Sequence, residues 1–134
     1  MDVSDYYPLI PLLVAVAVIL HRSSAFAPMI KYIGYGYFFV LTVVFITVRE
    51  RISYLYEHPP IPAVYWEKNS WWSDIGLVLY LMPTVVLFLM VCFFWFKREK
   101  DLKGKTLTFL FFLVGMILLF VYAFFFSMTL GYRP

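Results

Sequence analysis

Residues 75–96 read IGLVLYLMPTVVLFLMVCFFWF, twenty-two positions without one charged side chain. At 1.5 Å per residue a helix needs about 20 apolar residues to cross the hydrocarbon core of a bilayer. Ile75–Phe96 meets that length, and Leu107–Leu130, with 24 uncharged residues, exceeds it. A third run, Ile33–Val48, lies between Lys31 and Arg49. Ala25–Tyr32 lengthens it if Lys31 snorkels to the headgroups. The fourth, Tyr6–Leu20, is followed by Ala25-Phe26-Ala27 and has the outline of a signal peptide. Its leading residues are acidic rather than basic, however, and Pro28 would follow the cut. We therefore read it as a first transmembrane helix, with Pro8 and Pro11 in its opening turns, where a missing N–H costs least.

The chain is thus expected to be all-α, a single polytopic membrane domain over residues 1–134. Four spanning helices are expected near 6–22, 27–57, 74–96 and 106–131, with three spans and a re-entrant hairpin as the alternative. Composition agrees. Of the 134 residues 63% are hydrophobic, 22% aromatic and 14% charged, with a mean hydropathy of +0.84. A soluble domain carries about a quarter charged residues, and one this small could not bury so much apolar surface. Disordered chains are poor in these same residues.

Lys and Arg in short loops set orientation. The segment 97–105 carries Lys97, Arg98, Lys100, Lys103 and Lys105; with Arg22 and Lys31 this makes seven basic residues on one side. Arg49, Arg51, Lys68 and Arg133 make four on the other, beside six acids that include Asp2 and Asp5. The basic loop should face the cytoplasm or its equivalent, and both termini the outside. A bacterial inner membrane or organellar equivalent is the expected location. Five basic residues in such a loop also attract anionic lipid headgroups, each by about 1 kcal/mol near the surface.

On the outer side, helix two should run about two turns past the hydrocarbon edge and stop at Pro59-Pro60-Ile61-Pro62. Ile52, Leu55 and Tyr56 give that extension an apolar face, and Arg49 and Arg51 are placed among the headgroups. The remainder of an outer loop at 58–73 holds Tyr65, Trp66, Trp71 and Trp72. Such rings anchor at membrane interfaces and dominate protein–protein contacts, so these four are expected to dock a neighbouring or peripheral subunit. Ser70 or Ser73 is expected to cap helix three, with Asp74 in its first turn.

Chemistry is harder to find. His21 and His58 fall on opposite faces of the bilayer, so one chain cannot offer them as axial ligands to a haem. Cys92, the single cysteine, lies in an apolar run as a small hydrophobe. No ionisable residue falls at mid-depth, where a proton or ion path would need one. Gly34-Tyr35-Gly36 repeats the core of a potassium filter, but no pore helix precedes it. Pro83 leaves the Leu79 carbonyl without its helical partner, and Thr84 is a candidate to help resatisfy the backbone. A basic stripe for nucleic acid is missing. Catalysis, cofactor and metal binding are therefore not expected.

Bulky residues cover helix four all round, including Phe109, Phe111, Phe112, Phe120 and Phe124, and GxxxG is missing. Helices that pack closely on one another tend to use small residues. Such faces suit lipid, a cofactor's tail or the flank of a larger partner. The expected role is a non-catalytic accessory subunit of a multi-subunit membrane complex. Respiratory or photosynthetic electron-transfer assemblies are the commonest hosts. A small homo-oligomeric channel or transporter is the first alternative; an enzyme or haem subunit sharing its site with another chain is the second.

Overall fold

Prolines mark where the first three helices begin. In the computed structural model, which describes residues 3–131, a 3-10 turn at Val3–Tyr6 leads to α1 (Leu9–Arg22), with Pro8 at its N-cap. Then come α2 (Pro28–Tyr56), α3 (Ala63–Arg98) and α4 (Leu102–Phe126), which runs on into a π turn, Ser127–Gly131. Asp2 and Arg133, both counted on the outer side, lie outside the described residues.

All four helices were expected, but their lengths differ from expectation in ways that matter. Three are long and apolar enough to cross a membrane: α2, α3, and α4 with its π turn. The first, α1, has 14 residues, a rise of about 21 Å. Residues 63–73 are not loop. They form the first turns of α3, because nothing between Pro62 and Pro83 breaks a helix and Tyr65, Asn69, Ser73, Gly76 and Tyr80 share one buried face. The N-cap is Pro62, so Ser70 and Ser73 are interior to the helix and Asp74 is exposed partway along it. The basic segment shortens for the same reason. Lys97 and Arg98 end α3, Lys103 and Lys105 begin α4, and only residues 99–101 connect them.

Neighbouring helices run antiparallel, which gives the bundle two distinct ends. The Lys31 ammonium donates to the His21 carbonyl at 3.3 Å, while the Tyr6 hydroxyl donates to Glu50 at 2.7 Å. Thus α1 with its leading turn lies along α2 from one level to the other. At the end holding the α2–α3 connection, which we call the aromatic end, Tyr122 donates to the Pro8 carbonyl at 2.7 Å. The first and last described residues both lie near that end. The α3–α4 connection forms the opposite, basic end.

Close approach is achieved by rings set against glycines. Phe45 is fully buried, stacked on Trp72 at 6.0 Å and edge-on to Tyr80 at 5.8 Å. A Cβ at Gly76 would run into its ring, and one at Gly115 would run into the ring of Phe88. Gly34 gives way to Leu20, whereas Gly36 opens onto empty space. In lipid, where apolar burial drives little association, such van der Waals contacts and interhelical hydrogen bonds hold helices together.

Candidate functional site

Polar contacts gather at the aromatic end. On α2 the buried stripe Phe38, Leu41, Phe45 continues one turn further to Arg49, which is 7% exposed. The Arg49 guanidinium stands 5.3 Å from the centre of the Tyr6 ring, and its Nη1 has no hydrogen-bond partner. Arg49 is therefore turned inward rather than set among headgroups, while Arg51 is exposed.

The end of α4 is held by α3. Asn69 Nδ2 and Ser73 Oγ both donate to the Leu130 carbonyl, at 3.0 and 2.8 Å. The last carbonyls of a helix have no partner within it, and here two side chains of a neighbour supply one of them twice over. Asn69 Oδ1 is buried and unpaired. Trp72 Nε1 donates to the Phe45 carbonyl at 3.1 Å. These bonds join the ends of all four helices. Chemically the cluster holds elements in place: its groups are a cation, a carboxylate, an amide and hydroxyls, each facing another helix.

The four aromatics expected to dock a partner do not share a face. Tyr65 is buried, its ring 5.0 Å from that of Trp66, and Trp72 is half-buried with its N–H engaged inside the molecule. Trp71 is 63% exposed and lines a shallow depression of about 490 Å³ with Val64, Glu67 and Lys68. That spacing, i, i+3, i+4 and i+7, is a stripe on the outward face of α3.

At the basic end, Lys97 Nζ lies 4.9 Å from the Phe93 ring centre and Lys105 Nζ 5.5 Å from that of Phe96. Arg98, Lys100 and Lys103 are exposed. Between the two ends an apolar groove of about 400 Å³ separates α1 from α4, lined by Pro11, Ala15, Ile19, Phe88, Gly115 and Leu118 among others.

The backbone opened by Pro83 is closed from another helix. The Tyr37 hydroxyl donates to the Leu79 carbonyl at 2.9 Å. Thr84 was the sequence candidate, but it donates to Tyr80 O within its own helix at 2.7 Å. The Tyr80 hydroxyl in turn donates to Thr42, and Thr42 to Phe38 O.

His21 closes α1 at the basic end and His58 follows α2 at the aromatic end. They are separated by the whole of α2, about 43 Å of rise. Among the described residues no three His, Cys, Asp or Glu side chains gather as metal ligands would. Comparison with protein-family models, curated proteins and solved structures gave no match.

Glu50, Asn69, Tyr6 and Tyr37 are the residues that sequence reasoning passed over, and Arg49 is the one it placed on the wrong side of the helix. Asn69 and Arg49 carried a readable signal, since each continues an apolar stripe at helical spacing. Tyr37 carried none, because its partner is a backbone atom of another helix.

Proposed function

We propose that the chain is a non-catalytic subunit of a larger membrane assembly, retained there through contact. Supporting this above all is α4. In its most apolar stretch only 6% of residues are buried within the molecule. The outward side chains are bulky: Phe120 is 78% exposed and Phe124 63%. A helix presenting aromatic bulk on nearly every side matches the flank of other spanning helices. The outward stripe containing Trp71 would meet a neighbouring or peripheral partner at the interface, since exposed Trp is a frequent anchor of such contacts. An energy-transducing electron-transfer assembly is the host we propose, on the frequency of small apolar subunits in such complexes.

Four crossings fit this role. From the level of Lys31 to that of Glu50, α1 and its leading turn accompany α2 over a rise of about 28 Å, close to the thickness of hydrocarbon. The basic end then faces the cytoplasmic or equivalent side.

Mild-detergent purification of the tagged chain tests the proposal. We expect a fixed-ratio complex with other integral membrane polypeptides, retained less well by Trp71→Ala and by the pair Phe120→Ala with Phe124→Ala. Recovery of the chain alone, or only as multiples of its own 15.9 kDa mass, would overturn it.

A further inference from the structure

At the basic end, α3 and α4 leave a cleft of about 220 Å³ lined by Leu89, Cys92, Phe93, Phe96, Phe109 and Phe112, with Thr108 on its wall. The cleft is apolar, and the Thr108 hydroxyl is already bonded to the Gly104 carbonyl at 3.0 Å. Phe93 is 62% and Phe109 53% exposed, so the cleft opens sideways. Two of its ring walls carry cations. The Lys97 ammonium rests on Phe93 and that of Lys105 on Phe96. Of the two acids in the connection, Glu99 is turned onto Gly104, and Asp101, at the N-cap position of α4, is exposed and makes no side-chain cap bond.

We propose that this cleft is the seat of one anionic phospholipid, with an acyl chain against the rings and the phosphate held between Lys97 and Lys105. Charge complementarity selects the occupant. An apolar slot with an ammonium group resting on each of two of its ring walls matches a hydrocarbon chain that ends in a phosphate, and each ammonium gains a charge-assisted bond that its ring does not supply. Arg98 and Lys100 belong to the same basic run but flank no wall of the cleft. The site therefore differs from the general attraction of a basic loop for a charged surface.

The test is a lipid titration of the purified full chain in detergent, followed by native mass spectrometry. Phosphatidylglycerol and phosphatidylcholine with identical acyl chains are the probes. One phosphatidylglycerol is expected to bind at least tenfold more tightly than phosphatidylcholine. Lys97→Gln with Lys105→Gln should weaken phosphatidylglycerol about thirtyfold, at the energy of two surface cations. Arg98→Gln with Lys100→Gln should stay within threefold. Leu89→Trp, which fills the slot, should weaken both lipids. Helix content by circular dichroism confirms that each variant is folded. Equal losses from the two lysine and arginine pairs would overturn the site, and so would equal binding of the two lipids. Displacement by inorganic phosphate at concentrations matching the lipid would leave the slot without a role and overturn it as well. Because the isolated chain is used, the result is independent of any host assembly.

Discussion

Gly76 and Gly36 make a natural pair of probes, since both are helical glycines and only one has a neighbour. Gly76→Ala drives a methyl into Phe45, a ring already fixed between Trp72 and Tyr80. Overpacking of this kind costs about 1–3 kcal/mol. Gly36→Ala meets empty space and should be neutral or stabilising, by up to about 1 kcal/mol from the better helix propensity of Ala. The unfolding midpoint in mixed detergent–dodecyl sulfate micelles separates the two. Tyr37 offers a second experiment at this scale. Tyr37→Phe removes the donor to Leu79 O and should cost about 0.5–2 kcal/mol. In a Pro83→Ala background the backbone N–H of residue 83 is restored and the same change should cost less. An undiminished cost in that background would mean that Tyr37 acts by packing alone.

At the scale of elements, α3 departs most from what the sequence conveyed. The uncharged runs marked the later part of α3 and α4 without ambiguity, because hydropathy over about 20 residues is a strong signal, whereas the shorter run of α2 reached spanning length only with Ala25–Tyr32 added past Lys31. Residues 63–73 mix Glu67, Lys68 and Asn69 with four large rings, and that composition reads as an interfacial loop. What makes them helical is a buried face of Tyr65, Asn69 and Ser73, in phase with Gly76 and Tyr80. The phase is visible in the sequence only once a polar Asn is admitted as a core position. The same difficulty hid the split among the aromatics, since adjacent Trp71 and Trp72 point to different sides of a helix. A spin-label scan from 63 to 74, in chains with Ala at Cys92, should show immobile minima at 65, 69 and 73. A flat profile would return the segment to loop. Loss of the bonds to Leu130 has its own signature. Asn69→Ala with Ser73→Ala should speed amide exchange across 127–131 by about tenfold or more, the equivalent of about 1.4 kcal/mol, with little change in α2.

Taken whole, the molecule has two ends of different character joined by an apolar middle, and its topology can be tested in that form. In chains with Ala at Cys92, a cysteine at His58 and another at Ser4 should react with an impermeant maleimide from the same side of sealed vesicles. A cysteine at Lys100 should react only from the other side. Labelling of Ser4 together with Lys100 would reduce the crossings to three and make α1 re-entrant. Stability at this scale depends on how the helices are aligned along one another. Pro83 opens a carbonyl, and a phenol from α2 reaches it at 2.9 Å. A slide of one residue between these helices is 1.5 Å, enough to break the bond and leave bare C=O in oil. The imino acid thus works as a vernier mark: only one setting of α2 against α3 leaves no exposed dipole there.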